Sequence, residues 1–179
     1  MLNDILQEAK QEIKFGYLKK KHPFRYPSLA SLTKDFPNQR TVVLRDTTTD
    51  FELIFYTDER SNKIEDFIHN PNASVLFYHP KKLLQIKVMG KMKIVTSGKV
   101  YEEYWSKIQG KSRKDFITEK APGTQLKNPD DVEFLDDKHH FCLLKLVPTE
   151  IEYLQLKRPH HIRALFSAND NWEGKFLNP

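Results

Sequence analysis

The hydrophobic positions follow a helical period first and a two-residue period afterwards. Over residues 2–20, Leu2, Ile5, Leu6, Ala9 and Ile13 recur at the three- and four-residue spacing of one helix face. Pro23 and Pro27 end that period, since proline lacks the N–H donor and restrains the residue before it. Runs rich in branched and aromatic residues then predict strands: SLASLTK (28–34), QRTVVLRD (39–46), FELIFYTD (51–58), ASVLFYHP (73–80) and LLQIKVMGKMKIVT (83–96). The polar links DFPN, DTTTD and HPKK separate them. One short helix interrupts the strands, with Ser61 as its N-cap, Ile64, Phe67 and Ile68 as its apolar stripe, and Asn70-Pro71 as its stop. A further helix is predicted from about Gly98 through VYEEYWSKI, with residues 111–118 adding a turn or two. Residues 121–138 are polar and carry Pro and Gly, which predicts a long loop. Strands return in HFCLLKLV, TEIEYLQLK, IRALFS and a last short segment after Trp172. No repeat or linker divides the chain, so residues 1–179 read as one domain. Sequential strands with tight links predict a mainly β, α+β architecture: an antiparallel barrel with peripheral helices.

Composition narrows the class without naming a function. The 39% hydrophobic and 30% charged content suits a globular domain. No apolar run approaches the roughly 20 residues that span a bilayer, and the acid-bearing N-terminus does not read as a secretory signal. The expectation is a cytoplasmic protein with no membrane contact. The single cysteine, Cys142, lies in the apolar run FCLLKL and reads as a buried thiol. A net charge of +5 favours an anionic partner. A nucleic-acid surface would interleave aromatics with a basic strip on an exposed face, whereas the aromatics here fall at core positions. No nucleic-acid partner is expected.

The chemistry-bearing residues lie at strand ends. The six glycines form no phosphate-cradling fingerprint, and no cysteine cluster or HExxH is present. The pairs His139-His140 and His160-His161 point to opposite faces of a strand, so no metal site is expected. Arg40 and Arg45 bracket RTVVLR, with Arg40, Val42 and Leu44 on one face and Thr41, Val43 and Arg45 on the other. Tyr56 and Thr57 end the next strand, and Ser61, Asn62 and Lys63 open a helix directly after it. Hydroxyls, free N–H groups and an ammonium at a helix start suit a phosphate. The same residues also suit a plain N-cap with a solvated lysine.

The ordered series R-x-V-x-L-R (40–45), F-Y-T-D (55–58), R-S-x-K (60–63), N-P-x-A (70–73) and L-Q-x-K-V-x-G (84–90) resembles the pyridoxamine 5'-phosphate oxidase family. R-A-L-F (163–166), Trp172 and the closing L-x-P resemble its C-terminus. The resemblance covers roughly residues 25–110 and 140–179. It implies a six-stranded split β-barrel that binds flavin mononucleotide (FMN) as a homodimer, with cofactor sites at the subunit interface. It implies that Arg40, Thr41, Val42, Val43, Leu44 and Arg45 line the flavin and its phosphate. Tyr56 and Thr57 would contact the cofactor, and Ser61, Asn62 and Lys63 would lie at its phosphate. Gln85 would reach the flavin from the partner. Tyr153 stands where the family places a tryptophan at the flavin, and Arg163 would approach the ring. Arg45, Tyr104, Ser112 and His161 would bind substrate, with His161 and Arg163 at the catalytic position.

The pattern also departs from the oxidases that make pyridoxal phosphate. Their R-x-H motif is Pro159-His160-His161 here, and an arginine expected four residues after Tyr104 is Ile108. A basic residue after the serine is Asn62, and Ala121-Pro122-Gly123-Thr124 resembles a related flavin-binding branch. The resemblance therefore implies an FMN-dependent oxidoreductase. It would take a hydride from a small substrate such as a phosphorylated amine or alcohol. Within the family, a flavin reductase or a user of deazaflavin or haem is the alternative. Outside enzymes, the alternative is a protein that stores or senses FMN or pyridoxal phosphate.

Overall fold

A computed structural model describes all of residues 1–179. Helix α1 (Leu2–Leu18) buries Ile5, Leu6, Ala9 and Ile13, the predicted stripe, against the sheet. Burying such an isoleucine contributes about 1.5–3 kcal/mol. The strands are β1 (Ser28–Leu32), β2 (Pro37–Thr41), β3 (Asp46–Thr47), β4 (Leu53–Asp58), β5 (Asn72–His79), β6 (Leu84–Val95), β7 (Phe141–Gln155), β8 (Ile162–Ser167) and β9 (Gly174–Phe176). Their order is β2-β1-β5-β6-β7-β4-β3, with β8 pairing the far end of β7 and β9 pairing β8. Every pairing is antiparallel. Nine strands appear where six were expected, because β2, β3 and β9 add short pairings.

Alternation sets the faces. On β6, Leu84, Ile86 and Val88 are buried inside, while Gln85, Lys87 and Met89 are half-buried outside. The barrel interior holds one cluster of 25 buried residues, among them Phe24, Leu44, Phe55, Phe77 and Tyr153. A second cluster of seven lies across β4 and β7, beneath helix α3 (Lys99–Ser106) and the 3-10 turn that follows it. Cys142 is fully buried.

Three elements differ from the pattern reading. The segments 140–147 and 149–157 form one strand, β7, rather than two. Pro148 is accommodated at the irregularity opposite Met89 and Gly90, where no ladder N–H is required. RTVVLRD is a regular strand only to Thr41. Beyond it, Val42 and Leu44 donate to Pro27 and Arg25 carbonyls and Arg45 to Ile54, which routes the chain from one sheet edge to the other. In helix α2 (Asn62–His69), Ile64 and Phe67 are buried but Ile68 is exposed, because eight residues offer only a narrow face to the barrel.

Candidate functional site

The end of β4 and the start of α2 form a cationic cradle. Thr57 is the last inward-facing side chain before Asp58, and Ser61 follows the turn. Ser61 is the N-cap of α2 as expected, but its hydroxyl makes no capping bond to the helix. It lies 3.1 Å from Thr57 Oγ1 instead, and Lys63 Nζ donates to both hydroxyls at 2.9 and 3.1 Å. Lys63 is half-buried and holds no carboxylate. Desolvation, followed by the nearby Arg40 guanidinium, depresses its pKa below the ordinary lysine value. Arg40 is itself held by Ser31 Oγ at 2.7 Å and Asp66 at 3.3 Å, and Asp66 also accepts from Ser31 Oγ at 2.5 Å and Asn38 at 3.2 Å. The cradle therefore holds two neighbouring cations and two hydroxyls, with Asp66 fixing one cation from behind. Asn62 and Thr41, each next in sequence to a cradle residue, are exposed.

A second group lies on the opposite face of β4. A cavity of about 370 Å³ is lined by Arg25, Leu44, Arg45, Tyr56, Ile108 and Ser112, among others. The Arg45 guanidinium stacks 5.1 Å from the centre of the Tyr56 ring, and its Nε is buried without a partner. Burial pushes the Tyr56 phenol up to about 12. Tyr104 packs below Tyr56 with ring centres 6.0 Å apart and donates to Asp46 at 3.0 Å, so it supports the cavity instead of lining it.

The remaining expected residues sit elsewhere in the protomer. Thr57 pairs with Cys142 near the start of β7, whereas Gln85 and Arg163 flank Leu154 near its end. Arg163 is bound to Glu152 at 3.1 Å, and Lys87 holds the other Glu152 oxygen at 2.9 Å. His161 is exposed, and its Nδ1 accepts from Lys157 N at 3.1 Å. Tyr153 is buried in the barrel core, its hydroxyl 3.2 Å from Gln155. Val42 packs against that core and Val43 is half-buried. One protomer thus brings together Arg40, Thr57, Ser61 and Lys63, and separately Arg45, Tyr56 and Ser112. It does not bring Gln85, Tyr153, His161 or Arg163 to either group.

Several polar residues acquire their roles only in the fold. Asp66 is one helix acid among many until the fold sets it behind Arg40. Arg60 chelates Asp58 at 2.7 and 3.0 Å and binds the carbonyls of Thr118 and Glu119 at 2.9 and 2.8 Å, tying the following loop to the end of β4. Glu12, His22 and His79 converge near the end of α1. Each histidine Nδ1 accepts a backbone N–H, from Phe24 at 3.2 Å and Lys82 at 3.3 Å. The neutral rings then carry their protons on Nε2, and His22 directs that nitrogen at Glu12, 3.3 Å away. The trio reads as a structural clasp.

Comparison with known proteins identifies the family. Residues 3–96 fit the family model described as pyridoxamine 5'-phosphate oxidase, FMN-binding domain. A pyridoxine/pyridoxamine 5'-phosphate oxidase of Pelagibacter ubique is 30% identical over 172 residues, covering 85% of this chain and 81% of that protein. A putative pyridoxamine 5'-phosphate oxidase of Caenorhabditis elegans is 37% identical over 171 residues, covering 85% and 74%. Among solved structures, a pyridoxamine 5'-phosphate oxidase-related, FMN binding protein from Nostoc punctiforme shares the fold with TM-score 0.75 and 24% identity, covering 98% and 96%. PhzG from Burkholderia lata, in complex with tetrahydrophenazine-1-carboxylic acid, gives TM-score 0.78 at 17% identity, covering 98% and 92%. The chain belongs to the pyridoxamine 5'-phosphate oxidase family of FMN-binding split-barrel proteins. The donor set fits the cofactor, because a desolvated ammonium without a counter-ion, beside a guanidinium and two hydroxyls, is complementary to a phosphate dianion. No helix is long and apolar enough to cross a membrane.

Proposed function

We propose that the protein is an FMN-dependent oxidoreductase that works as a homodimer on a small anionic substrate. The observation that carries this reading is Lys63: half-buried, free of any carboxylate, beside Arg40, and bonded only to Thr57 and Ser61. These four residues would hold the phosphate of FMN, with Asn62 and Thr41 at the rim and Val42, Val43 and Leu44 behind the ring. When bound, the flavin supplies hydride acceptance and electron transfer onward to oxygen or another acceptor.

The length of β7 supports the dimer, given the flavin contacts expected of Gln85 and Arg163. Gln85 and Arg163 lie near one end and Thr57 near the other, so they meet at one flavin only if a second copy supplies them. Arg163 would then face the ring. His161, with its neutral-ring proton on Nε2, would donate to the substrate. Arg45 and Ser112 would take the substrate's anionic group, with Tyr104 bracing the wall. Tyr153 would act from the core by shaping the β7 face.

A non-catalytic carrier or sensor of FMN or pyridoxal phosphate is the second reading. It is favoured by Ile108 in the cavity wall and Pro159 at the C-terminal motif, where the oxidases carry arginines. Two measurements separate the readings. Flavin absorbance of the purified protein and an FMN titration test the cofactor. Peroxide release on pyridoxamine phosphate then tests turnover. Tight FMN binding without turnover of that substrate or of a screened panel of small amines and alcohols supports the carrier.

A further inference from the structure

Arg25 lies in the turn after α1, remote in sequence from every motif of the flavin site. Its carbonyl accepts from Leu44 N at 3.0 Å, which fixes it beside Arg45. Its Nη1 donates to the Tyr17 carbonyl of α1 at 3.3 Å. Both arginines line the same cavity with Ser112. Arg40, Arg60 and Arg163 each hold a carboxylate within ion-pair distance, whereas Arg25 and Arg45 hold none. Asp115 attracts Arg45 only from beyond that distance, and Lys107 at the cavity wall is already paired with Glu103 at 2.8 Å. The buried Arg45 Nε has no acceptor at all. Two guanidiniums held together in a part-desolvated cavity repel each other, and an oxyanion between them relieves both the repulsion and the missing acceptor.

We propose that Arg25 is the second cation of an oxyanion pocket shared with Arg45 and Ser112, and that it sets the specificity of this cavity for a phosphate- or carboxylate-bearing ligand. It rests on the reading that the Arg45 cavity faces the substrate. Ile108 leaves one wall apolar, and Arg25, carried by the turn after α1, supplies a guanidinium to the same cavity. Substrate binding is thereby coupled to the seating of α1.

The test uses FMN-loaded protein, so that the cradle at Lys63 is already filled, and follows inorganic phosphate and acetate separately by calorimetric titration. Saturable uptake of either probe is expected, and the stronger of the two identifies the anion class. Arg25→Gln should weaken that uptake about tenfold or more, the scale of one lost charge-assisted contact. Arg25→Lys should recover part of it, and FMN affinity should not change in either variant. Equal uptake in wild type and Arg25→Gln, or no uptake of either probe, overturns the pocket while leaving the flavin reading intact. If the protein takes up no FMN, the flavin reading fails by itself. The ligand-free Lys63→Ala protein then still reports whether phosphate uptake depends on Arg25.

Discussion

Lys63 shows how a single side chain carries a functional reading. A lysine on a solvated surface would be indifferent to its neighbours, but this one is bonded to two hydroxyls and feels the repulsion of a nearby guanidinium. Removing it as Lys63→Ala should cost about 1.5–3 kcal/mol of cofactor binding, the range for hydrogen bonds to charged groups. Flavin fluorescence quenching during titration checks this, and an unchanged affinity removes Lys63 from the site. The depressed pKa adds a pH signature. The dianion binds the charged form, so affinity should be full below the lowered pKa of Lys63 and fall as pH rises through it, before the ordinary 10.5 is reached. Lys63→Arg keeps its charge in that range and should abolish the fall. The chain order of Arg40, Thr57, Ser61 and Lys63 was legible in the sequence because strand ends and helix starts announce themselves through local residues. Asp66 and Arg25 were not legible, because what they touch is set by contacts 26 and more residues away in one case and by a turn after a different helix in the other.

At the scale of elements, the irregularity in the β6–β7 ladder leaves no room for a side chain at Gly90. A Cβ on Gly90 would collide with the carbonyl oxygen of Val147 and press on Pro148, both backbone. Gly90→Ala should destabilise the fold by roughly 1–3 kcal/mol, the usual cost of overpacking, read as a lower denaturant midpoint at unchanged slope. The periodicity of the chain located nearly every strand, yet it split β7 at Pro148. A proline normally ends a strand, and only the pairing partner reveals the irregularity that tolerates it. The α1 clasp makes a second prediction. His22 is desolvated, which lowers its pKa below 6.5 despite the opposing pull of Glu12. The unfolded chain then takes up a proton that the native state resists. Stability should therefore fall as pH drops below 6.5, and the loss should level off below the native pKa. In His22→Asn the side chain can still accept the Phe24 N–H but cannot titrate. Its thermal midpoint should decline less steeply over that window, the residual slope reporting His139, whose pKa burial also lowers. Identical slopes in both proteins would remove His22 from the acid response.

For the whole molecule, the outer face of the sheet is where the proposed second copy would complete the cofactor site. Leu76, Tyr78, Leu154 and Leu165 lie on that face around the Lys87–Glu152–Arg163 cluster, and Glu152 is only 7% exposed even in the single protomer. A buried carboxylate paired with two part-exposed cations and bordered by apolar side chains suits an interface with its ions already satisfied. Glu152→Ala leaves Lys87 and Arg163 facing each other without their shared anion, and like charges in a desolvated face are costly to bring against a second copy. Light scattering after gel filtration should show a dimer for the wild type and a shift toward monomer for Glu152→Ala. If Gln85 and Arg163 reach the flavin from the partner, the same variant should lose FMN affinity, although Glu152 touches none of the cradle residues. Its loss should also be steeper at low protein concentration, since dilution and the substitution act on the same equilibrium. A wild-type monomer that retains FMN at full affinity would instead confine the site to one protomer and take Gln85 and Arg163 out of it.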